Sequence, residues 1–331
     1  MTRPVVLLVF AASLLTFSAG TDAAPADPGA PPKVEPKKGG GFEGRTKEGK
    51  ARLLKEFGGS IEGEEAVMLG LAWLVQMQKP DGNWQYDGGP HRNDLAAATG
   101  MAVLAFTGAG QSHKEGRYKQ TVQAGVDWLV ANVDMSQGGE RGKFRTITNM
   151  YSQGIASLAL IEAYGMTKDP KLRDAAQAAV DYIQKAQGRN GSWGYTAGTD
   201  NDTSILGWQI QALHAAQLTQ DLVVDQKVID KAIKFLDYVS GRGQNKSTYG
   251  YGGPPGQPAT ALTAIGLLCR YYVDGWRRDT AGFAEGSKGL MRRALTPTTG
   301  RQVDLYYYCY ATQVVRFYGG EEWKTWNEGP E

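Results

Sequence analysis

The chain has 331 residues, of which 36 are basic and 34 acidic, so its formal net charge at pH 7 is only +2. Proteins that bind nucleic acid normally cluster basic side chains on one face, and the sequence after residue 44 has no such cluster. Nucleic acid is therefore excluded as an expected partner. The only two cysteines, Cys269 and Cys309, fall at different levels of the repeat described below, and we expect both to be buried, unpaired thiols.

The first 44 residues have the pattern of an export signal followed by a linker. Arg3 supplies a positive charge, residues 5–17 form an apolar run, and small residues near 18–23 provide a cleavage zone. Residues 1–23 are therefore predicted to be a signal peptide, which places the protein in the periplasm, at the cell surface or outside the cell. A membrane anchor is the alternative, but the run is shorter than the roughly 20 residues that a spanning helix needs. Residues 24–44, rich in Pro, Gly and Lys, are predicted to be a disordered linker before a folded domain at 45–331.

The folded region repeats two helical phrases. The aromatic position of the first phrase falls at Trp73, Trp128, Tyr182 and Phe235 and ends at Gly289, so successive copies are 55, 54, 53 and 54 residues apart. A second phrase, small residues followed by aliphatic ones, runs in step with the first, for example at 96–106 and 154–161. An all-α protein of about five helical hairpins, each close to 54 residues, is therefore predicted.

The two phrases differ in where their apolar residues fall. The first phrase has one apolar stripe, which indicates a helix packed on one face, whereas the second is apolar or small nearly all round, which indicates an inner helix. Five alternating hairpins that close on themselves form an α/α toroid with an inner and an outer ring. A short open solenoid is the alternative.

Two loops after the first phrase share the pattern Gln-x-x-x-Gly-x-Trp. We expect the glycine to end the helix in a left-handed turn, the glutamine to hydrogen-bond the exposed helix end, and the indole to cover it. The pattern resembles the QW repeat of squalene and oxidosqualene cyclases and the related repeat of protein prenyltransferase β subunits, and the repeats cover about residues 64–326. The resemblance implies the α/α toroid fold and, if the protein is an enzyme, a terpene cyclase-like isomerase or lyase. The matching residues are Gln78, Gly82, Trp84, Gln187, Gly191 and Trp193.

Inner helices of a toroid run the same way, so their N-termini meet at one rim. The residues directly before the inner phrases are good N-cap types, and a ring of helix N-termini also suits an anionic ligand such as a diphosphate. Three arginines fall in loops near this rim. The predicted rim residues are Asp94, Asn149, Asn201, Asp202, Thr260, Asp304, Arg92, Arg145 and Arg301.

Candidate catalytic residues come from two further resemblances. The segment 199–203, with Asp200, Asn201 and Asp202, is similar to the Asp-x-Asp-Asp-Thr motif of squalene-hopene cyclases, but Asn201 stands where that family has its proton donor. The segment from Asp304 to Tyr310 resembles Asp-x-Tyr-His-x-Cys-Tyr of prenyltransferase β subunits, with Tyr307 in place of the zinc histidine. Low-ranking catalytic candidates are therefore Asp200, Asp202 and Asp304, and no metal or other cofactor is predicted.

Aromatic residues at the starts of the last inner helices, Trp208, Tyr306, Tyr307 and Tyr310, are predicted to line a central cavity. The main hypothesis is an exported cyclase-like toroid that binds an apolar or isoprenoid ligand. One alternative is a polysaccharide-binding or lyase-type toroid, in which tyrosine acts as base and arginine neutralises charge. Another is a noncatalytic scaffold that binds protein. Because squalene cyclases use two barrels and this chain has one, a homodimer or a partner protein is also possible.

Overall fold

The computed structural model describes residues 41–89, 91–255, 260–293 and 304–328, and within these ranges it has twelve α-helices and no strand. The all-α prediction is confirmed. The predicted signal peptide and residues 24–40 of the predicted linker lie outside the described residues. In the described part, no helix is long and apolar enough to cross a membrane. The helices are α1 (Lys47–Phe57), α2 (Ile61–Met77), α3 (Leu95–Gly108), α4 (Lys119–Asn132), α5 (Met150–Thr167), α6 (Pro170–Lys185), α7 (Thr203–Thr219), α8 (Gln226–Val239), α9 (Ala261–Val273), α10 (Ala281–Met291), α11 (Leu305–Tyr318) and α12 (Gly320–Glu328).

Five hairpins account for ten of these helices. The outer helices α2, α4, α6, α8 and α10 alternate along the chain with the inner helices α3, α5, α7, α9 and α11, and each inner helix packs on the next. Fourteen of the 18 residues of inner helix α5 are buried, against six of the 14 in outer helix α8. This difference confirms the predicted two-layer α/α toroid.

Glycines of the second phrase lie where consecutive inner helices cross. A Cβ atom on Gly100 would lie 3.0 Å from the Ala156 Cα atom, and one on Gly207 would lie 2.6 Å from Ile265 Cγ2. Gly154, between them in the repeat, would meet Gln209 Nε2 at 2.7 Å. The small residues of the phrase therefore set the close spacing of the inner ring.

The two QW loops have the same geometry. The indole nitrogens of Trp84 and Trp193 donate to the carbonyl oxygens of Leu74 (2.7 Å) and Ile183 (2.8 Å), so each indole bonds the end of the helix before it. The prediction that the glutamine bonds this helix end is wrong. Gln78 Nε2 donates instead to Gly82 O and to Thr121 O on α4, and Gln187 Nε2 makes the same pair of bonds to Gly191 O and Val228 O on α8. The glutamine therefore joins its loop to the next outer helix.

Residues 41–58, which we call the floor segment, cross the end of the toroid where the inner helices finish. Phe42 is buried against Gly165, and Arg45 forms a 2.6 Å ion pair with Glu162 on α5. At the other end of the segment, Phe57 O accepts a hydrogen bond from Trp323 Nε1 on α12. The segment therefore links α5, in the second hairpin, to the last helix of the chain, which favours the closed toroid over the open solenoid. It also shows that the last four residues of the predicted linker belong to the folded structure.

Candidate functional site

The mouth of the toroid is the end where the inner helices begin. Asp94, Asn149, Asp202, Thr260 and Asp304 each accept a hydrogen bond from a backbone N–H in the first turn of the inner helix that follows. All five therefore act as N-caps.

Asp202 accepts four hydrogen bonds within the protein. Its Oδ1 atom accepts from the backbone N–H groups of Ser204 (2.8 Å) and Ile205 (3.0 Å) and from the Ser204 hydroxyl, while Oδ2 accepts from the Tyr251 hydroxyl. Both oxygens of the carboxylate are therefore bonded to donors of the chain itself. Because Asp202 is also only 1% exposed, it anchors α7 and Tyr251 and is not accessible to a ligand.

An anion at a helix N-terminus would need free backbone N–H groups, but carbonyl oxygens of nearby loops already accept hydrogen bonds from some of them. The Thr203 N–H donates to Tyr251 O at 3.1 Å, so the first three N–H groups of α7 are all bonded within the chain. At α5, the Met150 N–H donates to Tyr195 O at 3.0 Å. The predicted diphosphate-type site is therefore not supported at these two helices.

Tyrosine rings surround Asp202 at the mouth. Tyr195, Tyr251 and Tyr306 are 55%, 48% and 39% exposed, which places them among the few large, exposed hydrophobic side chains of the described structure. Tyr151 packs edge-on against Tyr195, with ring centroids 5.7 Å apart, and its hydroxyl hydrogen-bonds Ser204 Oγ. We call Tyr151, Tyr195, Tyr251 and Tyr306 the mouth tyrosines.

Tyr151, Tyr251 and Tyr306 are neutral at physiological pH. Burial, offset in part by the hydrogen bond to Ser204, raises the pKa of Tyr151 to about 12. Burial also raises the pKa of Tyr306, and burial together with the hydrogen bond to Asp202 raises the pKa of Tyr251. A phenol in this state donates and accepts hydrogen bonds but is a poor general base.

Below the mouth, Trp208 and Tyr310 form an edge-to-face ring pair with centroids 6.1 Å apart, and Tyr306 packs on Tyr310 at 5.2 Å. Trp208 is 7% exposed and Tyr310 1% exposed. These three rings form a continuous aromatic group that runs from the mouth into the buried interior of the toroid. Tyr307 is not part of this group, because its ring is fully buried and its hydroxyl donates to Leu290 O on α10, so it packs between the inner and outer rings.

The remaining catalytic candidates also bond the chain itself. Asp200 accepts hydrogen bonds from the backbone N–H groups of Arg189 (3.0 Å) and Asn190 (3.1 Å), which holds the preceding QW loop. Asn201, in a left-handed conformation at φ 78°, accepts from the Asn190 side chain. Asp304 caps α11 and lies 3.5 Å from the Arg293 guanidinium. Each of the three aspartates is therefore bonded to donors of the chain itself.

The predicted rim arginines have different positions. Arg92 and Arg145 are exposed in the mouth loops, and Arg301 lies outside the described residues.

Asp94 is buried, and its Oδ2 atom accepts from Thr148 Oγ1 at 2.6 Å and from the Ser152 hydroxyl. No group of three or more potential metal ligands occurs in the part of the chain that the structure describes.

Sequence reasoning missed two residues of the site, Tyr151 and Ser204. Both lie in the first turn of an inner helix, two residues after the N-cap. A search of that position in each repeat could have found them, because in α11 the same position holds Tyr306.

No family model and no curated protein matches the chain. Solved structures do. An inactive variant of the α-1,6-mannanase GH76A of Salegentibacter sp. HEL1_6, in complex with α-1,6-mannotetrose, has a TM-score of 0.54 at 10% identity and covers 77% of this chain and 80% of that one. D-mannose isomerase has a TM-score of 0.55 at 14% identity and covers 83% and 86%. The type II terpene cyclase MstE from Scytonema has a TM-score of 0.43 at 16% identity, covering 77% and 81%. At these identities the likeness shows the α/α toroid fold alone.

Proposed function

We propose that this protein binds a saccharide at the mouth of its toroid. The observation that carries the proposal is the group of exposed tyrosine rings around the buried Asp202 carboxylate. Tyrosine offers an apolar ring face and a polar hydroxyl, and a sugar offers C–H faces edged with hydroxyl groups. The ring of Tyr251 is fixed by its hydrogen bond to Asp202, so less rotamer freedom is lost when a ligand binds.

The same geometry favours binding over hydrolysis. Most glycosidases need two carboxyl groups beside the scissile bond, one of them free to give or take a proton. Asp202, Asp200 and Asp304 are all engaged by the chain's own donors. The mannanase variant of the comparison is inactive with two adjacent aspartates replaced, and this sequence has no two adjacent aspartates. Lyase chemistry is also disfavoured, because the mouth tyrosines with raised pKa values are poor bases.

The solved structures support a sugar ligand. Those with TM-scores above 0.5 include a mannanase in complex with a manno-oligosaccharide and an isomerase of mannose. We therefore choose manno-oligosaccharides as the first probes. We also propose that the protein is exported, on the strength of the signal pattern at residues 1–23.

An apolar or isoprenoid ligand is the second candidate. It is favoured by the Trp208–Tyr310 ring pair below the mouth, which offers a deep aromatic wall. It ranks second because the outer part of the site carries phenol and serine hydroxyls, which an isoprenoid chain would desolvate without replacing their hydrogen bonds.

Titration calorimetry with α-1,6-mannotetraose and a panel of other oligosaccharides tests the proposal. We expect Tyr306→Ala to weaken binding of the best oligosaccharide about tenfold or more, which corresponds to about 1.4 kcal/mol. Tyr238→Ala is the matched control, because Tyr238 is 60% exposed but lies on outer helix α8. It should change affinity less than about twofold.

Two results would contradict the proposal. One is binding that Tyr306→Ala and Tyr238→Ala weaken equally, which would place the sugar elsewhere. The other is the absence of oligosaccharide binding together with binding of farnesol or squalene that Trp208→Ala weakens, which would establish the second candidate.

A further inference from the structure

The first outer helix, α2, exposes a face that its repeat equivalents bury. Trp73 is 49% exposed, whereas Tyr182 and Phe235, at the same repeat position, are 4% and 1% exposed. On the same side of α2, Leu69 is 69% exposed. The prediction that the apolar residues of this helix face one side only is therefore wrong for α2. We call Leu69 and Trp73 the α2 ridge.

The later outer helices are covered by the loop of the preceding repeat. A Cβ atom on Gly82 would lie 2.5 Å from Ala124 O, and one on Gly191 would lie 2.1 Å from Lys231 O. Gly142 makes the equivalent approach to α6. Counting by the repeat intervals, the residue of α2 that matches Ala124 and Lys231 is Leu69. Because α2 begins the series, none of the loops that the structure describes makes this contact with it.

A groove of about 720 Å³ lies beside the ridge, between α1 and α2. Its lining includes Leu54, Ile61, Met68 and Tyr118, and Ile61 is 75% exposed. The ridge and the groove thus lie next to each other on one face, which we call the α2 face. An apolar ridge beside an apolar groove is self-complementary, because a two-fold axis between two copies inserts each ridge into the other groove.

We propose that the α2 face binds a second copy of this chain in an antiparallel two-fold dimer. The charges of the two helices that form the groove support this partner. The exposed charged residues of α2, Glu62 and Glu65, are both acidic. Helix α1 is net basic, because it exposes three basic residues, Lys47, Arg52 and Lys55, against two acidic ones, Glu48 and Glu56. A two-fold axis places the acidic side of one copy against the basic side of the other. An anionic membrane is a poorer fit, because it would favour basic residues and repel the two glutamates.

The mouth lies at the start of the inner helices, whereas the α2 face lies on the outer ring. This inference is therefore independent of the proposed saccharide binding, and either can fail without the other.

Sedimentation velocity of the full chain over a range of concentrations tests the dimer. We expect a reversible monomer–dimer equilibrium, and we expect Leu69→Glu to raise its dissociation constant about tenfold or more. Val223→Glu is the matched control, since Val223 is also 69% exposed but lies in the loop between α7 and α8. It should shift the dissociation constant less than about twofold.

A charge swap tests the orientation of the two copies. Glu65→Lys should weaken the dimer, and adding Lys55→Glu in the same chain should restore it, because the two-fold axis pairs the altered residues between copies. A wild-type chain that stays monomeric up to about 1 mM would overturn the proposal. So would a dimer that is indifferent to Leu69→Glu, or a monomer that sediments with anionic vesicles in a Trp73-dependent way.

Discussion

His214 lies on inner helix α7, and its imidazole stacks on Tyr272 with ring centroids 4.6 Å apart. Burial lowers the pKa of His214 to about 3, with a further contribution from Arg277. In an unfolded chain the pKa of histidine is about 6.5. Between these values the unfolded state binds a proton that the folded state does not, so the free energy of unfolding decreases as the pH falls through this window.

Replacing His214 should reduce this pH dependence. We expect His214→Gln to lose less stability than the wild type between pH 6.5 and pH 4.5, by at most on the order of 2 kcal/mol. Urea unfolding at the two pH values measures the difference. His91→Gln is the control, because His91 is exposed in a mouth turn, and its pH dependence should follow the wild type. Parallel curves for all three proteins would show that His214 is accessible to protons in the folded state.

Only part of the role of the Asp202 carboxylate could be predicted from the sequence. Its role as an N-cap could be predicted, because an aspartate directly precedes an inner phrase. Its bond to Tyr251 could not, since the tyrosine comes from a loop 49 residues later in the sequence. That long-range bond gives the Oδ2 atom of the carboxylate its donor. It changes the interpretation of Asp202 from a possible acid to a fixed anchor.

Among the elements, the QW loop could be predicted in outline because it recurs. The glycine, the tight turn and the buried indole follow from local chemistry, and both copies confirm them. The role of the glutamine could not be derived in this way. Its partners, Thr121 and Val228, lie 43 and 41 residues further along on the next outer helix. A pattern within one repeat gives no direct evidence of contacts between repeats.

Two glycines allow the cost of left-handed backbone strain to be separated from the cost of a close contact with another helix. Gly191 has φ 95°, and a Cβ atom there would lie 2.1 Å from Lys231 O, whereas Gly198 has φ 78° and nothing within 4 Å. Gly198→Ala should therefore cost only the left-handed backbone strain, about 1 to 2 kcal/mol. Gly191→Ala should cost about 1 to 3 kcal/mol more, because the loop must also move away from α8. Chemical denaturation of both variants checks this, and equal losses would mean that the loop shifts freely.

For the whole molecule, the repeat predicted the two rings but not what closes them. The five hairpins, their order and their inner and outer faces all follow from the recurring phrases. The floor segment has no copy in the repeat, and residues 41–44 have the glycine-rich composition of a linker. Its contacts join residues as distant as Phe57 and Trp323, 266 positions apart. Such contacts depend on the completed toroid, so they were not evident from local sequence.

Replacing one partner of the Arg45–Glu162 ion pair tests how the floor segment is held against the toroid. Both side chains are almost fully buried, and Thr107 Oγ1 donates a second hydrogen bond to Glu162 at 3.1 Å. Arg45 Nε and Nη1 are buried without a partner, so the pair alone compensates the arginine charge. Glu162→Leu should therefore destabilise the protein by about 3 to 5 kcal/mol, because it leaves a buried, unpaired charge.

Replacing both partners should recover much of that loss. In Arg45→Met with Glu162→Leu, apolar side chains replace the ion pair, and such replacements are often neutral or stabilising. Hydrogen exchange gives the location of the effect: Glu162→Leu alone should speed exchange across residues 42–58, while the mouth residues near Tyr251 remain protected. If the double variant is as unstable as the single one, packing and not charge holds the floor segment. If exchange rises equally at the mouth, the toroid unfolds as one unit and the floor segment is not a separable element.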